Sequence, residues 1–306
     1  MIQKNQFRFL MITARMFFIS LILLLTFAAT STFADRDDFS WQDAIRELDT
    51  LPYSPRFIDS LKNKFNISNE RDLRTLVPNT PVYANETLVY RVSWGAIFAG
   101  NLIITTNYDS VSNTIRIGGK AVSSNFVGAF YKMRDYVIST IDANGLYPLF
   151  FEQHLREGKR YKSDSWVLYD LQNKQAHVHN RKYKNFDTPQ FTQDYLSVLH
   201  FIRHLKLQPG DTLTQHLFIN KEIHPMLFTC PEKEVIETDN GKINTLKLQP
   251  RLVGEGRAFN RRDKLEVWLT DDSVPTPVLI KSKIKFGRIT AKLIWRNNQA
   301  ATLVQG

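Results

Sequence analysis

The spacing of hydrophobic residues differs between two regions of the chain. Between residues 35 and about 80, apolar residues recur at helical spacing, most clearly Phe57, Leu61 and Phe65. Prolines interrupt this region, which predicts one or two short helices that pack on a larger body. From about Val82 onward, apolar and polar residues alternate with the period of two that is typical of strands with one buried face.

The alternation is clearest near the C-terminus. Ile280 and Ser282 are expected to face one way and the lysines between and beyond them the other, with Gly287 in the following turn. Asn-Gly pairs at Asn144 and Asn240 predict two further hairpin turns. The spacing of such signals predicts about eleven or twelve antiparallel strands. A sheet of this size is expected to curl or close, because open edges invite aggregation.

One helical stripe interrupts the strands. Tyr195, Leu199 and Ile202 share a helix face, Asp194 can cap the first turn, and Pro209 is expected to end the helix. This helix is predicted to cover an opening in the sheet. The predicted fold is therefore mainly β: a strongly curled antiparallel sheet (β-roll or barrel-like) with one covering helix and a short helical N-terminal extension.

The first residues have the pattern of a secretory signal peptide. Basic residues precede an apolar run from Met16 to Ala29, and small residues follow up to Ala34. The run is shorter than the roughly 20 residues that a membrane span needs. We therefore expect an exported protein with no membrane span in the mature chain. The predicted divisions are a signal peptide over 1–34, the extension over 35–80, the β-roll domain over 81–299 and a tail over 300–306.

Charge and cysteine content narrow the possible partners. The formal net charge is +10, spread widely, and it indicates either a solvated basic surface or attraction to anionic envelope material. No nucleic-acid partner is expected, because the chain lacks a nucleic-acid-binding motif. The single cysteine, Cys230, lies in an apolar run, which favours a buried thiol over a nucleophile.

Two histidine pairs are the candidate metal ligands. His200 and His204 lie one turn apart on the predicted helix, and His177 and His179 share one face of a predicted strand. Either pair can instead belong to an ordinary polar face. No Glu follows His200, so the metalloprotease motif is absent. No cofactor is predicted.

No catalytic set is recognisable. Ser197 lies in mid-helix rather than on a glycine-flanked elbow. Asp271 and Asp272 are adjacent, so they indicate a turn rather than two carboxylates facing across a groove. We predict no catalytic residues.

An aromatic segment and several arginines are candidates for ligand binding. Aromatic side chains after Asn125 can line a ligand mouth or pack in the core. The arginines can contact a ligand or pair with carboxylates such as Asp135 or Asp194. The candidate ligand-binding residues are Trp94, Phe126, Phe130, Tyr131, Arg134 and Arg203.

The order of several motifs resembles that of a known family. These motifs are Tyr90 to Gly100, Tyr131 to Asp135, Asp194 to Ser197, Leu269 to Asp272, and Gly287 to Ile289. In this order they are similar to the exported bacterial domain-of-unknown-function family 3108. The resemblance implies a Gram-negative envelope protein with an antiparallel sheet rolled on itself, and it carries over no catalytic residues.

The leading hypothesis is an exported periplasmic protein that binds an amphipathic or glycan-like envelope component, with a lipid-like molecule or a polysaccharide as partner. The alternatives are an envelope-polymer hydrolase, with or without metal, and a scaffold that docks on another envelope protein. An interior void would favour binding, and a filled core would favour the scaffold. The oligomeric state is left open.

Overall fold

The computed structural model describes residues 55–65, 75–76, 83, 85–238, 241–253, 264–284 and 287–298. The predicted signal peptide and C-terminal tail, with most of the N-terminal extension, lie outside the described residues. The described helices are α1 (Pro55–Phe65), α2 (Asn125–Tyr131) and α3 (Tyr195–Arg203). The described strands are β1 (Glu86–Trp94), β2 (Ile97–Asp109), β3 (Thr114–Ser123), β4 (Arg134–Asp142), β5 (Pro148–Glu157), β6 (Tyr161–Asp170), β7 (Gln175–Asn180), β8 (Lys182–Asp187), β9 (Thr212–Ile219), β10 (Glu222–Thr238), β11 (Gly241–Leu252), β12 (Leu265–Thr270), β13 (Pro277–Ile284) and β14 (Gly287–Asn298).

All these strands form one antiparallel sheet. Its order is β8-β7-β6-β5-β4-β3-β2-β1-β14-β13-β12-β11-β10-β9. Two meanders, β1–β8 and β9–β14, are thus joined where β1 pairs with β14. The edge strands β8 and β9 are not paired with each other, so the sheet is not closed. The mainly β, antiparallel prediction is confirmed.

The predicted strand count was too low, since the described residues alone form 14 strands rather than eleven or twelve. Some turns carry no Gly or Pro to mark them. Strands β7 and β8 are joined through Arg181 alone, at a left-handed φ of 59°. Such a turn leaves little trace in composition.

The two edges of the sheet lie near each other in space. The rings of Phe186 in β8 and Phe218 in β9 are 5.5 Å apart. Between these strands in sequence, the Gln193 N–H donates to the His216 carbonyl, and the Gln193 carbonyl accepts from the Phe218 N–H, both at 2.8 Å. The segment that leads into α3 therefore runs alongside β9.

Helices α1 and α3 pack on opposite faces of the sheet. Phe150 and Phe151 are neighbours in β5, so their side chains point to opposite faces. Phe150 packs with Leu61 of α1, whereas the Phe151 ring lies 5.2 Å from that of Tyr195 in α3. The apolar spacing of the N-terminal extension thus does form a helix that packs on the sheet.

Helix α3 begins as predicted and ends earlier than predicted. The Asp194 carboxylate accepts hydrogen bonds from the N–H groups of Leu196 and Ser197. The helix ends at Arg203 rather than at Pro209. Short-range hydrogen bonds tighten the last turn there, such as that from the Leu205 N–H to the Ile202 carbonyl.

Helix α2 was not predicted as a helix. The Ser124 hydroxyl caps it by accepting from the Val127 N–H at 3.2 Å. The helix has only 7 residues, two of them aromatic at its C-terminal end, so helical periodicity is hard to recognise in its sequence.

Candidate functional site

An apolar cavity lies between α3 and the C-terminal strands. Its volume is about 150 Å³. Helix α3 contributes one wall, and strands β9–β14 with parts of β1 and β2 contribute the others. Representative wall residues are Leu196, Val198, Ile202, Ile219, Met226, Phe228, Leu248, Leu265, Val267, Ile280, Ile289 and Ala291.

Strand alternation explains why these walls are apolar. Ile280 and Ser282 of β13 line the cavity, as the sequence pattern predicts for their shared face. Lys281 points to the other face, where its Nζ lies 4.8 Å from the centre of the Trp268 ring. In the described part of the chain, no Lys, Arg, Asp, Glu or His lines the cavity. A charged group has no counter-charge inside, so the cavity suits an apolar occupant.

Size restricts what the cavity can hold. Apolar cavities of roughly 150 Å³ take up small hydrocarbons such as benzene, whereas drug-sized ligand pockets are about 300–1,000 Å³. The cavity as it stands fits the end of an acyl chain rather than a whole amphipathic molecule.

The cavity lies toward one end of the sheet, which we call the α2 end. Antiparallel strands reverse direction at each turn, so alternate turns lie at the same end of the sheet. The α2 end therefore carries α2 and the β1–β2, β5–β6 and β13–β14 turns. Ile219, the last residue of β9, and Leu265, the first of β12, both lie at this end and line the cavity. Helix α3 extends away toward the opposite end, where Arg203 contacts Glu86, the first residue of β1.

Arg203, a predicted ligand-binding residue, belongs to a buried ion pair at that opposite end. Its Nη1 and Nη2 donate to the Glu86 carboxylate at 2.6 and 2.9 Å, and its Nε donates to the Pro275 carbonyl at 2.7 Å. Its guanidinium carbon lies 3.8 Å from the centre of the Tyr83 ring. The carboxylate partner is Glu86 rather than Asp135 or Asp194. All three nitrogens already have acceptors, so the guanidinium has little capacity left for a ligand.

His200 and His204 form a ring pair beside this cluster. Their ring centres are 4.6 Å apart, and the Tyr83 ring meets both edge-on. Burial holds the pKa of His200 well below its usual value, helped by the nearby His204 and Arg203. Burial also lowers the pKa of His204 to about 4. Both imidazoles are therefore neutral near pH 7.

His177 and His179 do share one face of β7, but α1 covers that face. The His177 ring stacks on Phe65 at 4.5 Å, and the His179 ring lies 4.3 Å from that of Tyr183. Burial, aided by the positive charge of Lys64, lowers the pKa of His179. Neither histidine pair gains a third ligand, since the described ranges contain no group of three or more His, Cys, Asp or Glu side chains suited to hold a metal.

The structure places five of the six predicted ligand-binding residues at the α2 end. Phe126 and Phe130 are exposed on α2, and Arg134 is exposed just after it. The Tyr131 hydroxyl donates to the Glu157 carboxylate at 2.9 Å. Trp94 ends β1 there, half-buried. Only Arg203, described above, lies at the opposite end, and none of the six lines the apolar cavity. Sequence reasoning missed the cavity residues, whose alternating pattern marks a buried face but not a void.

Comparison with known proteins identifies the family. Residues 89–294 match the family model described as protein of unknown function (DUF3108). The chain belongs to the DUF3108 family. The resemblance found in the sequence is thereby confirmed, while export remains a prediction. None of the curated proteins compared matches this DUF3108 protein.

A solved structure shares its fold. The DUF3108 chain is similar to the crystal structure of a beta-barrel-like protein of domain of unknown function DUF1849 from Brucella abortus. The TM-score is 0.53 and the identity 10%, over 71% of this chain and 99% of the other. At this identity the similarity concerns the fold alone. Within the described ranges, no helix combines the length and apolarity needed to cross a bilayer.

Proposed function

We propose that this DUF3108 protein is an exported cell-envelope protein that binds the apolar chain of an amphipathic envelope component, without catalysing a reaction on it. The observation that carries the proposal is the cavity between α3 and strands β9–β14, whose lining is almost entirely apolar. Filling it with a hydrocarbon chain would remove apolar surface from water, worth about 0.8 kcal/mol per buried methylene.

The proposal includes a curled sheet around α3. A flat sheet of 14 strands, spaced by about 4.8 Å, would separate its edges by roughly 60 Å. Contact between the Phe186 and Phe218 rings supports a sheet that bends back on itself. Tyr169 in β6 supports it as well, because its ring lies 6.4 Å from Phe218 in β9.

Lauric acid is a suitable probe for the cavity. Titration calorimetry on the purified protein should give saturable binding of one equivalent. Ala291, a buried cavity residue of β14, offers a cavity-filling variant. In Ala291→Leu the added side chain takes the place of about three methylenes of the probe, which should weaken binding roughly fiftyfold.

Thr214→Leu serves as the matched control, because it adds the same side chain at an exposed position of β9. It should bind lauric acid like the unchanged protein. Absence of saturable binding, or equal affinity for Ala291→Leu, would contradict the proposal. N-terminal sequencing of protein recovered from its host tests export separately, with Asp35 expected as the first residue.

A further inference from the structure

Helix α2 exposes two adjacent aromatic side chains. Phe126 and Phe130 are 49% and 59% exposed, and their rings meet edge-to-face at 5.9 Å. On the same helix, Val127 is buried in the main core. The helix is thus anchored through one side and turns an aromatic pair to solvent. Ile97, at the start of β2, is 37% exposed at the same end.

Basic turns flank this aromatic pair on both sides. The Gly158 N–H donates to the Lys132 carbonyl at 2.8 Å, which joins the β5–β6 turn to the segment after α2. On the other side, the Ser124 N–H donates to the Ala99 carbonyl, and the Gly95 N–H donates to the Arg288 carbonyl, both at 2.9 Å. The exposed basic residues on these connections, or at the strand ends next to them, are Lys132, Arg134, Lys159, Arg160 and Arg288.

Among the described residues, acidic side chains at the α2 end are fewer than basic ones. Glu157 is half-buried and accepts the Tyr131 hydroxyl, Glu266 near the start of β12 is half-buried, and Glu222 is exposed at the β9–β10 turn.

The opposite end of the sheet has more acidic character. Within the described ranges, its exposed carboxylates are Asp109, Asp187, Asp211, Glu237, Asp271 and Asp272. Among the described residues, exposed lysines are interspersed there, namely Lys174, Lys206, Lys233 and Lys242, and the Lys233 ammonium lies 2.7 Å from the Asp271 carboxylate. A negatively charged surface would therefore attract the α2 end more strongly than the opposite end, and would orient the molecule.

We propose that the α2 end docks on the surface of an anionic lipid bilayer, with Phe126 and Phe130 inserted at headgroup depth and the flanking Lys and Arg side chains on the lipid phosphates. Protein segments that bind at the membrane interface combine exposed aromatic side chains with neighbouring Lys and Arg residues in this way. Charge complementarity selects the anionic bilayer as partner. Docking does not require an occupied cavity, although it would bring the α2 end, where the cavity lies, to the membrane.

Vesicle co-sedimentation tests the docking, using protein that has been purified from its natural host. Binding is expected with vesicles of phosphatidylethanolamine and phosphatidylglycerol, should fall at high salt, and should be much weaker with phosphatidylcholine alone. The double variant Phe126→Ser/Phe130→Ser should lose at least about tenfold in affinity. Lys159→Glu/Arg160→Glu should lose about tenfold or more.

Controls lie at the opposite end of the sheet. Val111→Ser removes an apolar side chain that is 96% exposed, and Lys174→Glu/Lys242→Glu reverses two exposed charges. Both should bind vesicles like the unchanged protein, and thermal unfolding should show that every variant is folded. Equal binding to neutral and anionic vesicles, or equal losses in the controls, would overturn the proposal. A stable heteromeric complex in native mass spectrometry that depends on Phe126 and Phe130, without vesicle binding, would assign the surface to a protein partner instead.

Discussion

Breaking the buried ion pair at the end of α3 should destabilise the whole β domain. Glu86 and Arg203 are 1% and 4% exposed and 117 positions apart in sequence. Arg203→Met keeps most of the aliphatic volume and removes the charge. It leaves the Glu86 carboxylate buried, with the Arg296 Nε 3.1 Å away as its remaining ionic partner.

The magnitude follows from this geometry. Removing one member of a buried ion pair costs about 3–5 kcal/mol, because the other charge stays buried and unpaired. Arg296 compensates in part, so we expect the free energy of unfolding to fall by about 3 kcal/mol for Arg203→Met. At about 2–4 °C per kcal/mol for a domain of this size, the melting temperature should fall by roughly 6–12 °C. Glu86→Gln should cost a similar amount, because it leaves the Arg203 guanidinium buried without an anion.

A double-mutant cycle by urea denaturation is the decisive assay. Glu86→Gln/Arg203→Met leaves neither charge of the pair in the core, so its loss should be smaller than the sum of the two single losses by about 2 kcal/mol or more. Additive losses, or a loss below about 1 kcal/mol for Arg203→Met, would refute the account of this pair as a buried structural interaction.

Two further predictions concern backbone and pH. Gly100→Ala should lower the free energy of unfolding by about 2–4 kcal/mol, because its φ is +152° and a Cβ would collide with the Val122 carbonyl oxygen. Gly95→Ala is the control: this residue has open space around it at φ +58°, so the loss should be only about 1 kcal/mol. Equal losses in thermal unfolding would contradict the steric reason. The pKa of His204 is depressed in the folded state to about 4, so the unfolded chain binds protons more readily and this contribution to stability is lost as pH falls from 6.5 toward 4. Asp135 acts with the opposite sign in this range, because burial raises its pKa to about 7. The test is therefore the difference in the free energy of unfolding between the unchanged protein and His204→Gln. This difference should become smaller as the pH falls from 6.5 toward 4. A difference that does not depend on pH would contradict the burial of a neutral imidazole.

Local signals predicted the regular elements well. The alternation around Ile280 placed β13 and its inward face, and Asp194 marked the start of α3, because strand pleat and helix capping depend on residues close in sequence. The Asn144 turn signal fell between β4 and β5 as predicted, although Leu146 adopts the positive φ of 52° there. The end of α3 was placed too late, because an apolar stripe can continue past the last helical turn.

The functional candidates were harder to predict. Aromatic and basic residue types drew attention to Phe126, Phe130 and Arg134, which do lie at one end of the sheet. The same criterion also selected Arg203, whose charge is neutralised by Glu86 at the other end. Residue type alone does not distinguish an exposed guanidinium from a buried one.

The amino-acid sequence by itself determined that this chain forms antiparallel strands with one apolar face and a capped helix between two groups of strands, because these features depend on periods of two to four residues. Tertiary structure decided which distant residues meet: Glu86 with Arg203, and α3 with strands β9–β14. It also decided that the contact with α3 leaves a cavity, because a void is the difference between the volume that the backbone encloses and the volume that the side chains fill. A local sequence pattern does not predict that difference in volume, because it depends on residues that are distant in sequence.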